Sequence, residues 1–394
     1  MATEITPLPQ GNWVQQLMRR AEGDRGIWMV TLILFGISLI TVYSAGAYLV
    51  HKNSGGSLPL LGKHAFMLAI GLGAVFFVHR MPIRVFARAS SVLVWVAIAL
   101  LLLTLLIGVE INDAKRWMRI PGIGITVQTS DFAKVMLITY VARMLHRNQH
   151  KLHDFKRGVQ PIIVPIALVC LLILPADLST AALIGLVAVT MLFVGGVPFK
   201  HLIRLAAAGA ALLGAGLAAA TALPNLFPRL STWKNRIASF ADGDGELLDQ
   251  IRYAQIAISR GGLTPSGPGT GAARNFVPES YSDMIFASIV EDWGALLGGG
   301  GLVILFLMFF YRTLRAARKC PIRFGSLLAF GLGMSITFQA LTNMAVAVRI
   351  FPTTGQPIPI VSYGGTSILF NSLAIGMILA VSRTRKASEP NADE

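Results

Sequence analysis

The chain reads as a series of long apolar runs separated by short polar stretches. Crossing about 30 Å of hydrocarbon at 1.5 Å per residue takes roughly 20 helical residues. Ten runs approach that length: Ile27–Tyr48, His64–Val78, Ser90–Val109, Val127–Leu145, Pro161–Leu174, Thr180–Val197, Leu202–Leu223, Met284–Tyr311, Gly325–Val348 and Gly365–Val381. The second and fifth are short and the eighth is long. Between the seventh and eighth lies the one long polar passage, Pro224 to Asp283. The pattern predicts an all-α polytopic membrane protein of ten transmembrane helices with a large extracytoplasmic loop between helices 7 and 8. Its parts would be an N-terminal segment 1–26, a membrane domain 27–383 that includes the loop 224–283, and a tail 384–394.

Composition agrees: 54% of residues are hydrophobic, 13% are charged, and mean hydropathy is +0.64. A net charge of +15 would suggest nucleic acid in a soluble protein. Here the basic residues fall in short loops, so membrane orientation explains them and no nucleic-acid partner is expected. Arg19, Arg20, Arg80, Arg84, Arg88, Arg143, Arg147, Lys151, Arg315, Arg318, Lys319, Arg383 and Arg385 all fall on the side of the chain ends. Both termini are therefore expected in the cytoplasm of a bacterium, with the long loop facing outward. The first run has no small-residue cleavage site and reads as an uncleaved helix. Cys170 in an apolar run and Cys320 in a basic loop make no disulfide framework.

Candidate chemistry gathers in four clusters on the outer side. The first is Asn112 to Arg119, with Arg116 beside Trp117, followed by Gln128 to Lys134. Its cations and tryptophan could bind a lipid-linked phosphate or simply anchor helix depth. Lys134, three residues after Asp131, could form a local ion pair or point into a polar cavity. The second cluster is Pro175 to Ala181, where Asp177 suits a helix cap. The third is the long loop: an amphipathic piece from Asp249 to Ser259 suited to lying flat on the bilayer, a Gly- and Pro-rich stretch Gly261–Gly271, then Glu279 and Asp283 one helical turn apart. Glu291 and Asp292 follow deeper in the eighth run, where lone carboxylates are costly, which argues for a hydrated cavity beneath the loop. The fourth comprises Asn343, Arg349 and the stiff stretch Phe351 to Ser367, with prolines at 352, 357 and 359.

In order, these clusters resemble the SEDS family of polytopic membrane proteins, over nearly the whole chain. The correspondences are Lys115-Arg116-Trp117; Gln128-Thr129-Ser130-Asp131-Phe132-Ala133-Lys134; Pro175-Ala176-Asp177-Leu178-Ser179-Thr180-Ala181; the stretch Val277 to Ala287 followed by Glu291-Asp292-Trp293-Gly294; and Pro352 to Ser367. Thr129 replaces a proline of the family pattern, Asp131 a glutamate and Ser179 a glycine. Asn275 stands where some members carry a second carboxylate, and Thr126 where a basic residue is often found.

The resemblance implies a peptidoglycan glycosyltransferase that polymerises lipid II, a disaccharide-pentapeptide on undecaprenyl diphosphate. Its implied partners are a class B penicillin-binding protein and other divisome proteins. Gln356-Pro357-Ile358-Pro359 and the ending Ala374 to Arg383 lean toward the division branch over the elongation branch. A sugar hydroxyl would attack an anomeric carbon whose diphosphate leaving group needs charge stabilisation rather than a proton, so one carboxylate suffices. By resemblance, Asp283 is the catalytic base. Candidate substrate-binding residues are Arg116, Trp117, Lys134, Glu279, Arg349 and Ser362. Arg116, Lys134 and Arg349, or a divalent cation (magnesium or manganese), would hold the diphosphate. The rival readings are a transporter of lipid-linked precursor and an idle scaffold that recruits a transpeptidase.

Overall fold

The computed structural model describes residues 22–45, 58–111, 114–119, 126–222, 240, 249–265, 267–269, 271 and 281–386. Helix α1 (Arg25–Ala45) starts where the Asp24 carboxylate accepts hydrogen bonds from the Gly26 and Ile27 amides, at 2.8 and 3.2 Å. Then come α2 (Leu58–Val78) and α3 (Ile83–Ile107), whose start follows Pro82. Strands β1 (Val109–Ile111), β2 (Ala114–Arg119) and β3 (Thr126–Gln128) lead into α4 (Thr129–Arg147). A π-helical turn, Phe155–Val159, opens α5 (Gln160–Ile173). Asp177 caps α6 (Leu178–Val194) by accepting from the Thr180 amide at 3.0 Å, the role the sequence suggests. Helices α7 (Phe199–Ala222) and α8 (Asp249–Gly261) precede α9 (Ile285–Trp293), a π-helical stretch Gly294–Gly300, and α10 (Gly301–Arg318). Helices α11 (Arg323–Ala347) and α12 (Gly365–Lys386) complete the bundle.

Among the described residues, seven helical segments are long and apolar enough to cross a bilayer, and α6 is a shorter apolar helix. Their outer faces carry exposed Phe66, Phe77, Leu106 and Ile107, which a hydrocarbon surround accounts for. The centre is formed by α4, α11 and α12. Most of α11 and α12 is buried. Nearly every residue of α4 from Thr129 to Leu145 is buried, so this helix, though polar, is walled off by its neighbours. Glycines permit the closest approaches: a Cβ on Gly376 would lie 2.8 Å from Val78 Cβ, and one on Gly71 would lie 2.7 Å from Ser372 Oγ. At the end opposite the sheet, Asp24 pairs with Arg312 at 3.8 Å and its amide donates to Ser382 Oγ, while Arg383 reaches Glu22 and the Arg80 carbonyl. The first and last helices are thereby tied together.

The structure corrects four expectations. The fold is not purely helical: β1, β2 and β3 form an antiparallel sheet in which Trp117 stands opposite both Val109 and Gln128. Pairing satisfies backbone groups that a bare loop at the membrane edge would leave to water, and it moves Val127 out of the fourth helix. The eighth apolar run is also not one long rod. A straight helix over Ile285–Arg318 would be about 51 Å long. Instead Gly294, at φ 75 and ψ 166, breaks it. A Cβ on Gly298 would lie 2.6 Å from the Ile289 carbonyl, a pair that an unbroken helix would hold about 13 Å apart. The chain therefore folds back, and α9 packs against the start of the following helix.

The amphipathic piece α8 does not offer its apolar side to lipid. Ala254 and Ala257 are buried against Met284, Ala287 and Val346. Glu291 and Asp292 stand at the tip of the hairpin rather than deep in a span: both are buried, and Ser44, at the last turn of α1, donates to Asp292 Oδ2. The N-terminal segment up to residue 21, most of the loop 224–283, and the tail from 387 lie outside the described residues, so the boundaries set for them carry no structural account.

Candidate functional site

The stretch Phe351 to Gly364 has no regular structure and runs inward between helices. Ser38 of α1 donates to the Val361 carbonyl at 2.9 Å. Ser38 lies about 9 Å along the α1 axis from Ser44, the residue that meets Asp292. The stretch is therefore recessed below the hairpin tip. Three prolines deny it ladder hydrogen bonds, so its backbone is held by side chains. It also carries unusual dihedrals: Gly355 at φ 64, and Ile360, a β-branched residue, at φ 69.

This stretch holds the segment that enters α9. Ser362 Oγ donates to the Ser282 carbonyl at 2.8 Å and accepts from the Ile358 amide at 2.8 Å, and the Tyr363 amide donates to the Tyr281 carbonyl at 2.9 Å. The rings of Tyr281 and Tyr363 meet edge to face with centroids 5.8 Å apart. Asp283 sits at the junction. Its Oδ1 accepts from Ser282 Oγ at 3.1 Å, and its Oδ2 would lie 3.4 Å from a Cβ built on Gly355. A side chain at 355 would meet the carboxylate at contact distance and would be strained by the backbone at φ 64. Its main-chain carbonyl accepts from Asn343 Nδ2 at 2.7 Å, and the same amide nitrogen donates to the Gln356 carbonyl at 2.6 Å.

Two further lines of polar contact run outward from here. In one, Gln356 Nε2 reaches Thr180 Oγ1 at 3.1 Å, the Thr180 amide donates to Asp177 Oδ1, and Asp177 Oδ2 pairs with Arg116 at 3.2 Å. Arg116 Nε also donates to the Ala176 carbonyl, and Ser179 Oγ to the Thr354 carbonyl. In the other, Lys134 Nζ donates to Asp131 Oδ1 at 3.2 Å and to Gln339 Oε1 at 2.6 Å, and Gln339 Nε2 donates to the Pro357 carbonyl at 2.9 Å. Lys134 and Asp131 are 3% and 4% exposed, a depth at which an ammonium persists only with such partners. Asp131 Oδ2, Asn343 Oδ1 and Gln356 Oε1 are buried acceptors with no hydrogen bond among the described residues.

Of the residues singled out from sequence, Asp283 and Ser362 are joined through Ser282, whose hydroxyl donates to the Asp283 carboxylate and whose carbonyl accepts from Ser362 Oγ. Arg116 and Lys134 reach the same stretch only through intermediates, each with a carboxylate already beside it. Trp117 lies in β2, partly exposed, and Arg349 follows the end of α11 at φ 60. Glu279 lies outside the described residues. Sequence reasoning missed Gln339 and left Asn343 and Gln356 without roles. The available signal was spacing: Gln339 and Asn343 stand four apart inside an apolar run, on one face of α11. Among the described residues no three His, Cys, Asp or Glu side chains gather as metal ligands.

The model of the cell cycle protein family (FtsW, RodA, SpoVE) matches residues 24–387. A protein of Nitrosococcus halophilus named probable peptidoglycan glycosyltransferase FtsW is 32% identical over 88% of this chain and 89% of its own length. The stage V sporulation protein E of Bacillus subtilis is 29% identical over 93% of this chain and 98% of its own. Among solved structures, a chain of a peptidoglycan synthase complex superposes with a TM-score of 0.72 at 24% identity, covering 92% of this chain and 98% of that one. The rod shape determining protein RodA of Thermus thermophilus superposes at 0.65 with 23% identity, covering 92% and 97%. With the family's model spanning almost all of its described residues, this chain belongs to the FtsW/RodA/SpoVE family of cell cycle proteins.

Proposed function

We propose that this chain is a peptidoglycan glycosyltransferase that polymerises lipid II at the outer face of a bacterial cytoplasmic membrane during cell division. Its relatives' names support the activity and the division role. The solved peptidoglycan synthase complex, described as coordinating polymerization and crosslinking, supports a class B penicillin-binding protein as partner, with other divisome proteins around them. The ten apolar runs and the basic residues clustered at one end support ten crossings with both termini in the cytoplasm.

The observation that carries the chemistry is Asp283: a carboxylate recessed beside Gly355 on a segment whose backbone is held by Asn343 and Ser362. It accepts the proton of the attacking sugar hydroxyl as that oxygen bonds to the anomeric carbon. The lipid diphosphate departs with the bonding electrons and needs no proton. A single displacement on an α-linked donor yields a β-linked strand. Cations meet the leaving charge, with Arg116, Lys134 and Arg349 as candidates. For Arg116 and Lys134 this requires sharing or leaving Asp177 and Asp131. Trp117, Glu279 and Ser362 are candidates for substrate contact.

The test is polymerisation of lipid II by the purified protein with and without its partner. Asp283→Ala and Asp283→Asn should abolish glycan chains while the melting temperature stays within a few degrees. Chains made by either variant would overturn the assignment. Transbilayer movement of lipid II without polymerisation would instead favour a transporter.

A further inference from the structure

Two buried polar residues remote from Asp283 in sequence have no part in the chemistry above. His64 on α2 is 1% exposed and Ser38 on α1 is fully buried. His64 Nε2 lies 2.8 Å from Ser38 Oγ, whose single hydrogen goes to the Val361 carbonyl. Ser38 can then only accept from the ring, so Nε2 of His64 carries a proton. The same ring packs on Tyr363 with centroids 5.5 Å apart. The residues on either side of this contact are strained or engaged. Ile360 sits at φ 69, a conformation that a β-branched side chain adopts only when its surroundings enforce it. Ser362 and Tyr363 hold the Ser282 and Tyr281 carbonyls. The relay runs from α2 through α1 into the recessed stretch, and from there to the residue before Asp283.

We propose that His64, acting through Ser38 and Val361, is a positioning residue for Asp283: it fixes the strained turn against which the carboxylate is set. This rests on the reading of Asp283 as the base. The hydrogen bond, not the bulk of the ring, does the fixing, because only a donor can complete the Ser38 hydroxyl while it serves Val361. A misplacement of the base by about 1 Å suffices to slow such a step roughly a hundredfold.

The experiment compares His64→Leu, His64→Gln and Ser38→Ala with the parent and with Asp283→Asn in the purified complex. Three readouts are taken: kcat and KM for lipid II, melting temperature, and hydrogen exchange at the peptide carrying the Tyr363 amide. His64→Leu and Ser38→Ala should lower kcat roughly 10- to 100-fold at unchanged KM and speed exchange at Tyr363. His64→Gln, which keeps a donor at similar reach, should recover both. The inference is overturned if His64→Leu keeps the parent's kcat and exchange, or if His64→Gln is as impaired as His64→Leu. Polymerisation by Asp283→Asn would remove the base reading alone, since exchange at Tyr363 still reports on the tether. Ser38→Ala, which loses only a hydroxyl, keeps the test decisive should His64→Leu fail to fold.

Discussion

Lys134 shows how a single side chain is governed by what surrounds it. Its ammonium is buried between Asp131 and Gln339, and Asp131 already has one oxygen without a hydrogen bond among the described residues. Lys134→Met would leave a buried carboxylate uncompensated, at about 3–5 kcal/mol. The expected result is a sharp fall in melting temperature in detergent. Removing both charges with Lys134→Met and Asp131→Leu should restore most of the loss, and no restoration would show that the lysine's role is not pairing. Arg116 belongs to a different class, because its side chain is 23% exposed where it meets Asp177. Arg116→Ala leaves Asp177, 4% exposed, with the Thr180 amide as a remaining partner and should cost about 1–3 kcal/mol in stability, so a loss of activity beyond the loss of folded protein would report on substrate. These distinctions were partly legible in the sequence. The i, i+3 spacing of Asp131 and Lys134 announces the pair, but nothing local announces Gln339, which arrives from a helix some two hundred residues later and closes the contact only after folding.

At the scale of elements, apolar runs located the helices but not how they begin, end or turn. The third helix starts at Ile83 rather than near Ser90 because Arg84 and Arg88 can extend from its first turns to water, so a polar reading of that stretch conceals helix. The sheet escaped notice because its strands are short and β2, Ala-Lys-Arg-Trp-Met-Arg, lacks an alternating apolar pattern. The hairpin at Gly294 escaped for a deeper reason: two helices packed on each other and one continuous helix are equally apolar. What marked it was a glycine at φ 75. Gly294→Ala should cost about 1–3 kcal/mol through that backbone conformation, lower the melting temperature and impair polymerisation. Gly73→Ala in α2, where a Cβ meets nothing within 4 Å, should be neutral or slightly stabilising. Equal effects of the two changes would remove the hairpin's special status.

For the molecule as a whole, the charge asymmetry makes a claim about sidedness that Cys320 can check. It lies in the turn between α10 and α11, among Arg315, Arg318, Lys319 and Arg323, and donates to the Ile322 carbonyl at 3.5 Å. Burial pushes its thiol above the ordinary range, against a smaller downward pull from backbone hydrogen bonds. A raised value means less thiolate at a given pH, so with Cys170 replaced, maleimide labelling should be slower than for an exposed cysteine and should quicken as pH rises. It should occur in inside-out vesicles and not in intact spheroplasts; labelling in spheroplasts would reverse the orientation.

The fold-back at Gly294 bears on that same experiment. A half-helix that climbs from Asp283 and returns at its own tip leaves and regains one level, so it adds nothing to the parity of crossings. Had the run been a pair of complete passages, Arg318 and every later residue would emerge on the opposite side, and the start of the chain could not hold the ion pairs that join Glu22 to Arg383 and Asp24 to Arg312.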